Sequence, residues 1–286
     1  MTNLNGILLI DKPQGWTSAD VVRKVVKLTN GAKVGQMGTL DPLATGVLPV
    51  SIGRATKLFD IFLKKDKEYI GTFTWGKSTN TQDITGEVQE QNDFVPTKES
   101  LLTAIQKFVG NISQMPPAFS AKKVNGVPAY MLARKKYNVE LKPKEITIYS
   151  IELLDYNNES FTLDIVCSSG TYIRTLGVDI AKECGALATM SALKRTRTGN
   201  FLLQDCHQMQ DIDADNIVER IISIDTTLAF LPVLALNQED FYALKDGKIL
   251  STDAENGLYR AKYNDILLGI VEVSGKKIRM NTYLFV

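Results

Sequence analysis

The sequence predicts an α+β fold: a mixed, largely antiparallel sheet flanked by helices, plus a small C-terminal β module. Three observations predict it. Strand-like and helix-like segments alternate without a regular βαβ rhythm. EITIYSIELLDY and SFTLDIVCS are two strand-like runs separated by a turn at Asn157–Asn158, which is hairpin spacing and therefore antiparallel. After Pro232 only short strand and turn signals remain, in LKDGKIL, GLYRAKY and DILLGIVEVSGKKIRM. With 286 residues, 44% hydrophobic and 23% charged, the chain has room for one large core and a small second one. The expected division is 1–231 and 232–286.

The elements follow in order. NGILLIDKP reads as a short buried strand stopped by Pro13. Thr17 or Ser18 caps a helix with Val21, Val22, Val25, Val26 and Leu28 on one side, closed near Gly31. KEYIGTFTWG, from Lys67, alternates like a strand, and TNTQDITGE is a polar loop. Thr97 caps an amphipathic helix that Gly110 ends, with Leu101, Leu102, Ile105, Phe108 and Val109 on its apolar face. QMPPAFSAKKVNG is a loop. TLGVDIAKECG is a helix ending at Gly185, KRTRTG leads into a strand FLLQDC, and Asp211 to Ile222 is helical.

Composition narrows the function. Net charge is +1, yet basic residues outnumber acidic ones from Lys12 to Lys67 and from Lys122 to Lys144. Gln204 to Asp240 carries eight acidic residues against Arg220 alone. That asymmetry fits either a polyanion bound on one face or ordinary solvated surfaces. Cys167, Cys184 and Cys206 lack CxxC spacing, which argues against a disulfide framework and against zinc. His207 is the sole histidine, so a His-rich metal site is excluded. There is no GxxxxGK[ST], and no GxGxxG follows a strand, so no nucleotide cofactor is expected. The N-terminal apolar run is too short for a signal or a membrane span, and a cytoplasmic protein without membrane association is expected.

Two segments hold candidate chemistry. GQMGTLDPLATG, Gly35–Gly46, sets one carboxylate, Asp41, among three glycines and a proline. An Asp before Pro in such a loop is ordinarily a turn residue. As a nucleophile or acid/base it needs an oriented partner and a water-poor pocket. CSSGTYIRTLG, Cys167–Gly177, places Tyr172 and Arg174 between a strand and a helix, where an arginine either lies on the surface or grips a carboxylate.

Together with DKPQGWTS, KEYIGTFTWGKSTNTQDITGE, PPAFSAKKVNG and CSSGTYIRTLGVDIAKECGALATMSALKRTRTG, the Asp41 motif resembles the tRNA pseudouridine synthase B (TruB) family. The five motifs occur in the family's order and span most of residues 5 to 200. The last 55 residues loosely resemble its small RNA-binding (PUA-like) domain.

The resemblance implies a catalytic set of Asp41, Tyr69, which stacks on the target base, and Arg174, which pairs with Asp41. It implies a substrate-binding set of Gln36, Lys57, Tyr172, Leu193, Lys12 and Lys122, with Lys12 and Pro13 in a mainly structural motif. Lys64, Lys65, Lys67, Lys122, Lys123, Arg195 and Arg197 would hold phosphates. The implied partner is the T arm of tRNA, and the implied product is pseudouridine at the conventional position 55. The enzyme would be a monomer without cofactor or metal, because the isomerisation adds and removes nothing. Asp83 reads as a loop residue contacting substrate or its own backbone.

The chain departs from the family at Gln36, where the bacterial members usually carry His. Gln36 hydrogen-bonds with similar reach but does not titrate near neutral pH and stacks less well. Competing readings are a guide-dependent synthase with the same motif, and an RNA-binding protein with a vestigial pocket. A glycosidase is disfavoured, since it ordinarily needs two facing carboxylates.

Overall fold

Main-chain pairing starts at the buried run GILLIDK. The computed structural model describes residues 4–63, 65–120, 122–124, 126–135 and 141–285. Strand β1 (Gly6–Lys12) is buried almost throughout, as a strand covered on both faces must be. Helix α1 (Ser18–Leu28) begins with a capping box. Thr17 Oγ1 accepts the Asp20 N–H at 3.0 Å, and Asp20 Oδ2 accepts the Thr17 N–H at 2.8 Å. Val21 and Val25, one turn apart, seat α1 on the core.

The main sheet has ten strands. Besides β1 they are β2 (Val34–Gln36), β3 (Thr45–Ile52), β4 (Lys67–Trp75), β5 (Gly110–Gln114) and β6 (Lys144–Tyr156). Then come β7 (Ser160–Cys167), β8 (Ala188–Thr198), β9 (Phe201–Leu202) and β10 (His207–Gln208). Their order is β10-β1-β3-β8-β4-β7-β6-β5, with β2 on β3 and β9 on β8. Only β1–β10 and β3–β8 pair in parallel, so the sheet is mixed and largely antiparallel.

Along β4 burial alternates, putting Lys67, Tyr69, Gly71, Phe73 and Trp75 on the covered face. Helix α2 (Lys98–Gln106), capped by Thr97, and helix α3 (Ile173–Glu183) supply core side chains. Gly177 explains how closely α3 approaches β4. A Cβ there would lie 1.9 Å from the Phe73 ring, so any side chain would push the helix off the sheet.

The C-terminal module is a second sheet, with β11 (Val233–Ala235), β12 (Leu250–Ser251), β13 (Gly257–Tyr263), β14 (Ile266–Ser274) and β15 (Lys277–Tyr283) in the order β11-β13-β14-β15-β12. Its Ile270 and Leu284 share an apolar cluster with Ile7, Leu9, Val47 and Phe62. Arg260 and Lys262 both pair with Asp225 at 3.0 and 2.9 Å. No helix among the described residues is long and apolar enough to cross a membrane.

Three expectations fail. The module is not all β: helix α4 (Gln238–Lys245) starts at Asn237, whose side chain accepts the Asp240 N–H at 2.8 Å, and buries Phe241 and Leu244. Asp211 to Ile222 forms turns. Asp213 Oδ1 takes the N–H groups of Asp215 and Asn216 at 3.0 and 2.9 Å and starts a turn, and the Ile217 N–H bonds Asp213 O at 3.2 Å. The bonds that follow, Arg220 to Ile217 O and Ile221 to Val218 O, are i→i+3 before Ile222 bridges to Ile7. FLLQDC pairs over Phe201–Leu202 only, then turns into a short 3₁₀ segment.

Candidate active site

Asp41 lies in the loop between β2 and β3, and side chains from distant segments fix that loop. Ser18 Oγ, at the start of α1, donates to Leu40 O at 3.0 Å and accepts the Leu40 N–H at 2.9 Å. The Gly15 N–H bonds Pro42 O at 2.8 Å. Arg195 on β8 donates from Nη2 to Gly38 O at 3.0 Å and from Nε to Val47 O at 2.7 Å, gripping both ends of the loop. Gly46 is required where β3 meets β8. Its φ is +99°, and a Cβ would lie 2.2 Å from Arg195 O.

Arg174, two residues into α3, faces this loop. Its Nε lies 3.0 Å from Asp41 Oδ2; Arg174 is 6% exposed and the Asp41 side chain 39%. The carboxylate is thus oriented by a buried cation yet remains reachable. The other guanidinium nitrogens are also used: Nη1 donates to Thr81 O at 2.7 Å and Nη2 to Phe119 O at 3.0 Å. Asp83 Oδ2 stands 3.7 Å from Nη1. The second carboxylate is therefore a buried neighbour of the ion pair. Its Oδ1 organises the loop, accepting from Thr81 Oγ1, the Thr85 N–H and Thr85 Oγ1 at 2.8, 2.9 and 2.6 Å.

The entry to α3 is clamped from 58 residues away. Gln114, buried at the end of β5, accepts the Tyr172 N–H with Oε1 at 2.8 Å and donates from Nε2 to Tyr172 O at 3.0 Å. Tyr172 has no side-chain cap of its own, so this amide takes up the otherwise orphaned N–H.

A cleft of about 300 Å³ opens over these groups, at the small end for ligand pockets. Its walls include Asp41, Lys67, Tyr69, Ser120, Tyr172, Arg174, Leu193 and Arg195. Burial raises the Tyr69 hydroxyl pKa, opposed by the charge of Arg195. Burial also lowers Lys67 to about 8, with Arg195 adding repulsion. Lys12 falls to about 8 through burial, against the attraction of Asp41.

The structure brings Asp41, Tyr69, Arg174, Tyr172 and Leu193 to one cleft. Other expected positions lie elsewhere. Lys12 is fully buried, absent from the cleft walls, and its ammonium donates to Pro13 O at 3.0 Å and Trp16 O at 2.6 Å, holding the chain after β1. Lys57 donates to Tyr283 O at 2.9 Å, toward the C-terminal module. Lys122 bonds Lys142 O at 3.0 Å, outside the cleft walls. Gln36 donates to Thr39 Oγ1 at 3.0 Å inside the Asp41 loop, and it too is absent from the walls. Arg195 and Lys67 are buried beside Gly38 and line the cleft rather than the outer surface. Arg197 pairs with Glu68 at 2.9 Å. Lys64 and the Lys123 side chain fall outside the described residues.

The family model for the N-terminal domain of TruB family pseudouridylate synthase matches residues 23–173, and that for the tRNA pseudouridylate synthase B C-terminal domain matches residues 174–228. The chain belongs to the TruB family. It is 42% identical over 243 residues to a tRNA pseudouridine synthase B of Francisella philomiragia, covering 83% of this chain and 80% of the relative. It is 40% identical over 263 residues to one of Clostridium kluyveri, covering 90% and 91%. Among solved structures, an H/ACA RNP bound to a substrate RNA containing 2′-deoxyuridine aligns with a TM-score of 0.73 at 22% identity, over 98% of this chain and 85% of that one. A Cbf5–Nop10–Gar1 complex aligns at 0.71 and 23%, over 97% and 79%. At these identities the structural likeness bears on the fold, that of a pseudouridine synthase core. The two family models meet at Arg174, inside one sheet-and-helix unit, since α3 and β8 belong to the main core.

Asp83, Gln114 and Ser120 were not singled out from the sequence for the places they hold. For Asp83 a signal existed, since its TNTQDITGE segment is among the motifs shared with the family. For Gln114 and Ser120 the only hint was their presence around the PPAFSAKKVNG motif.

Proposed function

We propose that this protein isomerises uridine to pseudouridine in the T loop of tRNA, at the conventional position 55, as a monomer and without a guide RNA. One observation carries the reading: the Asp41–Arg174 ion pair at 3.0 Å sits in the same cleft as Tyr69, in a chain of the TruB family. The reaction breaks N1–C1′, turns the uracil, joins C5 to C1′, and moves the C5 proton so that N1 regains one. A single carboxylate suffices when it acts on the sugar, by attack at C1′ or by driving elimination.

The target base must leave its stack to reach Asp41. Flipping costs about a few kcal/mol, and stacking on an aromatic returns roughly 1–3 kcal/mol. Tyr69 on the cleft wall supplies that surface. Arg174 keeps the carboxylate in one orientation through the reaction. Lys144 at the cleft and Lys65, Lys122 and Arg197 beyond it would meet RNA phosphates, which position the strand without reading its sequence.

The test is an unmodified tRNA transcript incubated with wild type and with Asp41→Asn, followed by mapping of pseudouridine. T-loop product that vanishes in the variant is expected. Binding without product in either protein would refute catalysis, and product only on adding a guide RNA would refute the stand-alone reading.

A further inference from the structure

Six buried side-chain atoms among the described residues find no hydrogen-bond partner, and Ser120 Oγ is the one whose residue lines the Asp41 cleft. Ser120 is 4% exposed. A buried hydroxyl left unpaired is costly to a fold, and such groups in native proteins call for a reason. Its backbone position is fixed by the ion pair itself, since the carbonyl of the preceding Phe119 accepts from Arg174 Nη2 at 3.0 Å. Ser120 thus stands one peptide from the group that orients Asp41, with an unspent donor.

We propose that Ser120 is a substrate-contacting residue whose hydroxyl donates to a ring carbonyl oxygen of the everted uracil. The assignment rests on the isomerase reading above. The assignment requires the hydroxyl to turn toward the cleft by rotation about Cα–Cβ between staggered wells. The chemistry of uracil gives such a donor a particular use. Turning the detached ring about its N3–C6 axis exchanges N1 with C5 and, at the same time, O2 with O4. One small donor then holds O2 before the turn and O4 after it. The neighbouring walls, the Tyr69 ring and the Leu193 side chain, make no directional demand that would resist the turn.

The experiment compares wild type, Ser120→Ala and Ser120→Cys on an unmodified tRNA transcript, by single-turnover rate, tRNA Kd and thermal melting. Ser120→Ala should slow the single turnover roughly tenfold, the worth of one hydrogen bond. The weak S–H donor of Ser120→Cys should give an intermediate rate. Kd should change less than about threefold, because the hydroxyl meets only the everted ring and most of the affinity is gained before the base leaves its stack. The Tm of Ser120→Ala should equal or exceed that of wild type, since the variant removes an unpaired buried hydroxyl. A Ser120→Ala rate within about twofold of wild type would overturn the assignment. So would a lowered Tm accompanying the lost rate, which would make the hydroxyl a structural group. Absence of product from wild type itself would overturn the isomerase reading, and this assignment with it.

Discussion

Replacing Gln114 by Met keeps the side chain's length and removes its amide. Two hydrogen bonds disappear, at 2.8 and 3.0 Å. Tyr172 O keeps the Leu176 N–H at 3.0 Å, so only the Tyr172 N–H is orphaned. The lost bond to Tyr172 O costs about 0.5–1.5 kcal/mol and orphaning the Tyr172 N–H about 1–3, so the total destabilisation is about 1.5–4.5 kcal/mol. For a domain of this size that lowers Tm by roughly 5–15 °C. The effect on function is separate. Arg174 lies two residues beyond Tyr172, and its 3.0 Å contact sets the carboxylate angle. Measured well below the new Tm, single-turnover pseudouridine formation on tRNA should fall by roughly tenfold or more, with tRNA Kd little changed. Gln114→Glu sharpens the test. When protonated it can donate to Tyr172 O as the amide does; when ionised it faces that carbonyl with a second acceptor. Its carboxyl pKa is therefore raised on folding, so its stability is present at low pH and lost as pH rises through that value. A Gln114→Met protein with unchanged Tm would refute the clamp. Lowered Tm with an unchanged rate would refute its link to Arg174.

Three further outcomes follow from the same contacts. Lys12, held near 8 by burial against an ordinary 10.5, sheds its proton in the folded chain while the unfolded chain keeps it, so stability rises between pH 8 and 9. That rise is about 1 kcal/mol, and urea unfolding of Lys12→Met should show a slope flatter by this amount relative to wild type. Gln36→His should raise either the single-turnover rate or tRNA affinity by roughly threefold or more, through a ring that stacks and titrates; loss of activity, or no change in either, would refute a role for this position in base flipping. Asp83→Asn keeps the shape of its loop but sets an amide against Arg174 Nη1 in place of a carboxylate 3.7 Å away, and should slow single turnover by roughly tenfold while Kd holds.

The parts of the site that could be read from the sequence are those written as local motifs. The loop around Asp41 and the turn into Arg174 each carry their glycines and polar groups within a dozen residues. The cap at Thr17 and the alternation of β4 are equally local. What escaped reading is set by pairing across the chain. Gln114 meets Tyr172, and Thr81 meets Arg174, only because β5 and the Asp83 loop converge on the start of α3. Arg195 and Lys67 were expected at phosphates because a basic residue is ordinarily exposed. Arg195 instead lies opposite Gly46 in the β3–β8 register, where its guanidinium replaces water with two main-chain carbonyls. Asp213 caps a helical turn as its neighbourhood suggests, but the bonds beyond it, Arg220 to Ile217 O and Ile221 to Val218 O, are i→i+3 and Ile222 pairs with Ile7 of β1 instead.

Rigidity and freedom are divided within the cleft in a way the chemistry requires. The loop carrying Asp41 is bonded at Gly38, Leu40, Pro42 and Val47 by groups from α1, β8 and the segment after β1. At about 1 kcal/mol per bond, displacing the loop as a unit costs several kcal/mol. Transition-state stabilisation depends on charges that need not reorganise, and this loop is held in that manner. The base has the opposite need, because it must turn between breaking N1–C1′ and forming C5–C1′. A wall of fixed donors would bind one orientation and slow the turn, lowering the rate through tighter ground-state binding. The fixed donors that line the cleft are engaged elsewhere: Arg174 on Asp41, Thr81 O and Phe119 O, Arg195 on Gly38 O and Val47 O, Lys67 on Lys65 O and Lys144 on Ser169 O. The base meets an aromatic face at Tyr69 and an aliphatic one at Leu193, with Ser120 as a small donor that serves both orientations. Enlarging the polar character of the wall, as in Leu193→Asn, should therefore slow the chemical step even where it tightens binding of the RNA. Faster turnover in that variant would show that the turn of the base is not the event the wall is shaped to permit.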